Sequence, residues 1–193
     1  MQKFVVFLLI LFSLNLNGQS VQKRNWEFSK VVYNASPKKK IMITNSLPKG
    51  GGIVSYKGKD YNYFIFWTNV RNEATSPLDL NIQFPTIISF KSEESFAKVA
   101  FTKSNMAINK VQEIDYGLTG VATLLNNESN QLKDLSYKIL PFNNFLFYSA
   151  IFIHKTKWPV RAEYILKDKM LYYKITSGTD AVTVPCGTLN FEN

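Results

Sequence analysis

Residues 61–84 read YNYFIFWTNVRNEATSPLDLNIQF, and this stretch decides the fold. Tyr61, Tyr63, Ile65 and Trp67 fall on one face of an extended chain and Phe64 and Phe66 on the other, because successive side chains of a strand alternate. Both faces are apolar, which predicts an interior strand. From Leu78 the pattern changes: Leu78, Leu80, Ile82 and Phe84 alternate with Asp79, Asn81 and Gln83, the period of a strand half in a core and half in water. Between them, residues 71–77 (RNEATSP) hold small polar residues and a proline, which favour turns and interrupt a central ladder. The stretch therefore predicts two strands and the loop that crosses between them.

The same reading extends in both directions. Residues 26–33 form a plausible first strand, broken by Asn34-Ala35-Ser36-Pro37-Lys38-Lys39-Lys40, whose triple lysine suggests an exposed turn. Residues 41–44 make a short strand. Gly50-Gly51-Gly52 follows Leu47-Pro48-Lys49 and predicts a flexible connector. It lacks the Gly-Lys-Ser/Thr of a phosphate loop, and no helix follows. Lys57-Gly58-Lys59-Asp60 has the form of a hairpin turn. Residues 87–90 and 96–102 give two further strands, the second weakly patterned, as at a sheet edge. Ile114, Leu118, Val121 and Leu125 recur at helical spacing. Gly117 and Gly120 restrict this to a short helix over 118–125, laid over one end of the fold, with 126–133 a polar loop. The remainder is dense in strands, at 137–140, 145–154, 160–167, 170–176, 182–184 and 187–191, with a tight hairpin at Asp168-Lys169.

Ten to twelve short strands with Gly, Pro and Asn turns and one short helix argue for an all-β, mostly antiparallel two-sheet β-sandwich. In strand number, and in the form of Trp67-Thr68-Asn69-Val70 followed by Leu78-Asp79-Leu80-Asn81-Ile82, the chain resembles the immunoglobulin-like and fibronectin-III-like sandwiches. The resemblance covers most of the chain after its leader and implies an Ig-like two-sheet core. It implies no particular activity, since such folds carry many. The paired cysteines of antibody-type domains are absent.

The chain has 193 residues. Lys3 followed by the apolar run 4–14, and then the small polar residues 15–20, has the form of a signal peptide. That run is too short for a permanent transmembrane anchor. Cleavage between Gly18 and Gln19 is expected, leaving 19–193 as one sandwich domain, exported and periplasmic or secreted. Cys186 is the only cysteine, so no lipid anchor at the cleavage point and no internal disulfide can form. Stability must come from a core, and 46% apolar with 15% aromatic residues can supply one.

The formal charge is +9. Export makes nucleic acid an improbable partner, and only three of the 23 basic residues are arginines (Arg24, Arg71, Arg161), whereas phosphate-reading sites favour the bidentate guanidinium. A solvated lysine surface is the plainer reading.

Catalytic and metal chemistry find little material. One histidine and one cysteine cannot assemble a zinc site, and no calcium-loop spacing occurs; no cofactor is expected. Glu93 and Glu94 are adjacent and point to opposite faces of an extended chain, so they cannot flank one glycosidic bond. A Cys186–His154 dyad is arithmetically possible. However, Cys186 stands in Val184-Pro185-Cys186-Gly187, which reads as a strand connection, and His154 ends an apolar strand, so a buried thiol and a strand-end histidine are expected. Aromatic residues offer a different chemistry: Tyr56, Tyr61, Trp158 and Tyr172 are the candidate ligand-binding rings, able to stack on sugar faces if exposed. Trp158, within Lys155-Thr156-Lys157-Trp158-Pro159, is the ring most expected in solvent. The expectation is a non-catalytic binding or structural accessory of the cell envelope, meeting an envelope protein or a polysaccharide, with a carbohydrate-binding module as the alternative and a hydrolytic enzyme third.

Overall fold

The computed structural model describes residues 24–36, 39–91, 94–102, 104–126, 131–132 and 134–192. The expected leader and its cleavage point, and Glu93, lie outside these. The described residues form two antiparallel sheets packed face to face. The first sheet runs β1 (Glu27–Ser36), β2 (Lys39–Ser46), β4 (Lys59–Asn72), β10 (Asn144–His154), β7 (Phe96–Thr102), β6 (Ile88–Ser89), with β3 (Lys49–Tyr56) also on β4 and β8 (Gln131–Leu132) on β7. The second runs β11 (Val160–Lys167), β12 (Met170–Ser177), β13 (Asp180–Phe191), β5 (Leu78–Gln83), β9 (Asp134–Ile139).

The two strands of the opening stretch behave as their alternation requires. β4 is interior to the first sheet, flanked by β2 and β3 on one side and β10 on the other. β5 belongs to the second sheet, so residues 73–77 carry the chain from one layer to the other. Asn72, within the segment read as a loop, is fully buried. Its Nδ2 donates to the carbonyls of Ser76, Ile139 and Leu140 at 2.9–3.2 Å, and its Oδ1 accepts from Ala74 N–H. The crossing is thus fixed by one amide that satisfies main chain which the turn leaves unpaired.

The inter-sheet core takes Phe64, Phe66 and Val70 from β4, Ile41 and Ile43 from β2, and Ile151 and Ile153 from β10, facing Leu78, Leu80 and Ile82 from β5 with Tyr164, Tyr173, Ile175 and Leu189 of the same sheet. Each such side chain contributes about 1.5–3 kcal/mol on burial. The other face of β4 is apolar for a separate reason. Tyr61, Ile65 and Trp67, with Tyr148, Ala150 and Phe152 of β10, pack under a third layer containing Met106, Tyr116, Leu118, Val121, Leu124 and Leu125.

That layer is built from two 3-10 turns, Ile108–Gln112 and Ile114–Gly117, and the helix α1, Val121–Asn126. The helix is shorter than the spacing suggested, because Asp115, Tyr116, Gly117 and Gly120 all take positive φ and the chain cannot wind regularly until Val121. It covers the back of the first sheet, not one end of the sandwich. Tyr116 O–H donates to Leu47 O at 2.6 Å, Tyr148 O–H donates to Tyr116 O at 2.7 Å, and Lys49 Nζ donates to Val111 O (2.9 Å) and Glu113 O (2.5 Å). The Lys49 ammonium also lies 4.2 Å from the Trp26 ring and 4.4 Å from the Tyr116 ring. Burial holds its pKa below the ordinary lysine value.

Other local expectations change. Gly50-Gly51-Gly52 is part of β3, not a connector. The absence of side chains lets Tyr63 lie against Gly50 and Gly52, while Trp158 lies against Gly51. Lys39 and Lys40 open β2 and are not a turn. Residues 182–184 and 187–191 are one strand, β13, and Cys186 is the extra residue at a bulge where the pairing with β12 shifts, not a connection. Within the polar loop expected over 126–133, Gln131–Leu132 pairs with Phe101 and Thr102. Lys57 and Gly58 form the β3–β4 turn, both at positive φ as a two-residue hairpin loop requires. Among the described residues no helix is long and apolar enough to cross a membrane.

Candidate functional site

The outer face of the second sheet carries a polar surface with two hollows in it. β5 presents Asp79, Asn81 and Gln83 outward because Leu78, Leu80 and Ile82 are committed to the core. Register places Asn81 between Ser136 of β9 and Thr188 of β13, Asp79 between Lys138 and Asn190, and Gln83 opposite Asp134. Two hollows lie here. One, about 350 Å³, is lined by Asn81, Gln83, Asp134, Ser136, Gly187 and Thr188, and the other, about 290 Å³, by Asp79, Asn81, Ser136, Tyr137 and Lys138. They share Asn81 and Ser136 and so form a single groove along β5 and β9.

Its floor is main chain. Gly187 sits next to the Cys186 bulge, and a Cβ there would stand 1.9 Å from Asn81 O. Only glycine lets β13 approach β5 this closely. The walls are amides and hydroxyls held on paired strands, so their positions are fixed by the ladder. The charged members are Asp79, Asp134 and Lys138, and Lys138 is ion-paired with Glu192, which raises the lysine's pKa. What such a lining does well is exchange hydrogen bonds with a neutral, polyhydroxylated or amide-bearing chain.

The four candidate rings do not gather on one surface. Tyr61 is 3% exposed and fills the layer behind the first sheet, against Phe96 and His154. Tyr56, on the same hairpin, is half-buried, with the ammonium groups of Lys57 and Lys98 about 5 Å from its ring. Trp158 is 62% exposed, as its charged surroundings led one to expect, with one edge against Phe64 at a centroid distance of 5.1 Å. Tyr172 is half-buried on the outer face of the second sheet, beside Pro185 and the Lys167 ammonium. It therefore shares a sheet face with the groove, whereas the other three belong to the first sheet and its margin.

The remaining chemistry is separately engaged. Cys186 is buried in the core and its Sγ–H donates to Leu171 O at 3.5 Å. Burial pushes its thiol up to about 12. His154 Nδ1 lies 2.8 Å from Asp60 O, with its ring between Tyr61 and Phe96. Neither residue has the other as its partner. Glu94 is exposed and ion-paired with Lys155. Among the described residues no three His, Cys, Asp or Glu side chains group as metal ligands would.

The chain was compared with protein-family models, curated proteins and solved structures, and none matches. The groove must be read from its own chemistry. Sequence alone marked Asn81 and Gln83 as facing water but missed Ser136 and Thr188. Their strands are separated from β5 by about 50 and about 100 residues, and no local pattern says which strands become neighbours.

Proposed function

We propose that the protein is an exported, non-catalytic binding accessory of the cell envelope, periplasmic or secreted, which takes a neutral hydrogen-bonding ligand in the Asn81–Ser136 groove. The observation that supports this reading is the lining that the two hollows share, the Asn81 amide of β5 and the Ser136 hydroxyl of β9 on paired strands. We also read the sandwich as Ig-like, because consecutive strands β4 and β5 lie in opposite sheets, as in Greek-key sandwiches.

The test is a pull-down of the purified protein on its own envelope fraction and on insoluble polysaccharide, at low salt and at about 1 M salt, where screening acts within roughly 3 Å. Salt-resistant retention that falls at least tenfold in an Asn81→Ala/Ser136→Ala double variant is the expected result. Retention that vanishes with salt and ignores the variant would reduce the interaction to the lysine surface and overturn the reading.

A second reading, a carbohydrate-binding module that stacks a sugar ring, is favoured by the exposed face of Trp158. There the decisive variant is Trp158→Ala. Loss of polysaccharide retention in that variant alone, with the groove double variant unaffected, moves the ligand to the margin of the first sheet.

A further inference from the structure

The turn joining β9 to β10, Leu140-Pro141-Phe142-Asn143, is closed by Asn143 N–H donating to Leu140 O at 3.1 Å, with Phe142 at a φ of 58°. Proline at its second position and a positive φ at its third give the form of a type II turn, in which the third position is ordinarily glycine or asparagine. A phenylalanine there carries backbone strain that glycine would not. Burial does not offset that strain, since Phe142 is 64% exposed and Leu140 53%.

The turn is nevertheless held firmly from below. Asn72, fully buried, donates through Nδ2 to Leu140 O at 3.2 Å, and its own N–H donates to Asn143 O at 2.9 Å. Both ends of the turn are thus tied to the end of β4, and two exposed apolar side chains stand on a fixed base. Exposed apolar surface continues down the edge of the sandwich: Tyr137, 47% exposed, stacks on Phe145 at a centroid distance of 3.9 Å.

Cations surround this base. Arg71 pairs in register with Asn144, Lys138 stands two residues before Leu140, and Lys40 O accepts the Glu73 N–H just beyond Asn72. The Lys39 ammonium lies 5.3 Å from the Phe191 ring, and Phe191 pairs with Leu78, itself the partner of Ile139. Glu73 serves both Lys40 and Arg71 at 3.5 Å, Glu192 serves Lys138, and Asp79 is opposite Lys138 in the register. These four cations outnumber the three carboxylates beside them, on a chain of formal charge +9.

A turn has no hollow to enclose a small ligand. Two apolar side chains at a tip, continued by an aromatic ring and flanked by lysine and arginine, instead complement the boundary between anionic lipid headgroups and acyl chains. We propose that the Leu140–Phe142 turn is a membrane-docking tip, which seats the protein on an anionic lipid surface with Phe142 and Leu140 at the acyl boundary and the cations among the headgroups. The tip requires neither Asn81 nor Ser136, so this inference and the groove reading can fail separately.

The experiment is co-sedimentation of the protein in its exported form with vesicles of phosphatidylcholine and phosphatidylglycerol in equal parts, and with vesicles of phosphatidylcholine alone, at about 0.1 M salt. Saturable binding to the anionic vesicles is expected, and at least tenfold weaker binding to the neutral ones. Phe142→Gly should weaken binding at least tenfold while its thermal midpoint stays level or rises, because glycine suits the turn. Leu140→Ser should weaken binding in the same direction. Ile114→Ser, at a residue 89% exposed on the layer behind the first sheet, and the Asn81→Ala/Ser136→Ala double variant should bind as the parent does. Failure to bind the anionic vesicles, equal binding to the neutral ones, full binding by Phe142→Gly, or an equal loss in either control would each overturn the proposal. So would a lowered midpoint in Phe142→Gly, which would make the ring a support of the fold.

Discussion

Asn45 of β2 hydrogen-bonds both main-chain groups of Tyr164 on β11: its Oδ1 accepts Tyr164 N–H at 3.0 Å and its Nδ2 donates to Tyr164 O at 3.3 Å. The side chain imitates one rung of a ladder between strands of different sheets. β11 is an edge of the second sheet, and the Tyr33 hydroxyl oxygen accepts the next outward amide, Leu166 N–H, at 3.2 Å. An edge that would otherwise offer free main chain to another molecule is closed from within.

Replacing Asn45 by Ala removes the acceptor of Tyr164 N–H and the donor to its carbonyl while both stay buried. It also strands Thr68 Oγ1–H, which donates to the same amide oxygen. Each unsatisfied group costs about 1–3 kcal/mol. Urea unfolding should therefore show Asn45→Ala destabilised by roughly 2–4 kcal/mol; a loss within 0.5 kcal/mol would mean that water replaces the amide.

Gly187→Ala puts a methyl group where Asn81 O already stands. β13 and β5 must separate, and the groove opens with them. A loss of about 2–4 kcal/mol is expected, together with loss of the salt-resistant retention, whereas Gly58→Ala, whose Cβ would meet nothing within 4 Å, should leave that retention unchanged. Thermal melts and the pull-down read the two effects.

Alkaline stability follows from buried acids: the Cys186 thiol and the Tyr116 phenol, joined by the Tyr164 and Tyr173 phenols, which burial raises further still. Burial lifts the Cys186 thiol from 9.0 to about 12 and the Tyr116 phenol from 10.0 to about 12. In the unfolded chain both ionise at their ordinary values, so between about pH 9 and about pH 12 the unfolded state holds fewer protons and stability falls as pH rises. Below pH 9 both groups are protonated in either state and their contribution is constant. The urea midpoint should begin to decline above about pH 9, and in Cys186→Ala the decline should begin nearer pH 10, where the buried phenols of Tyr116, Tyr164 and Tyr173 take over. Identical profiles for the two proteins would contradict the assignment.

Lys49→Met keeps an apolar stem under Trp26 and Tyr116 but removes the donor to Val111 O and Glu113 O. The 3-10 layer should loosen locally. Hydrogen exchange at the Glu113, Tyr116 and Leu118 amides, whose acceptors lie within that layer, should quicken at least tenfold, a change of about 1.4 kcal/mol in local opening, while β4 and β10 stay protected. Uniform acceleration across the sheet would show the lysine to be a global support instead.

What the sequence disclosed follows from range. The alternation of 78–84 located β5 and its water-facing side chains because strand period is a local property. The run 61–67, apolar on both faces except at Asn62, predicts an interior strand, and β4 is one, but the pattern is silent on the second reason for it, a covering layer from residues 106–125. The glycine run misled because its meaning lies in Tyr63 and Trp158, the residues that lean on it. Cys186 looked like a connection because a bulge and a loop share Pro and Gly, and only pairing with β12 distinguishes them. Asn72 and Asn45 looked like ordinary polar residues, since nothing adjacent reveals which main-chain groups they satisfy.

The second sheet places the chain's last strand, β13, at its centre, between β12 and β5. β5 therefore meets β9 about fifty residues after it is synthesised but its second neighbour only about a hundred residues after, Ile82 pairing with Gly187. Until then β5 can pair only with β9, the two remain unjoined to β11 and β12, and a ribosome-bound or truncated chain stays unfinished and prone to associate. The second sheet is thus two halves, β11–β12 and β5–β9, that only β13 can join.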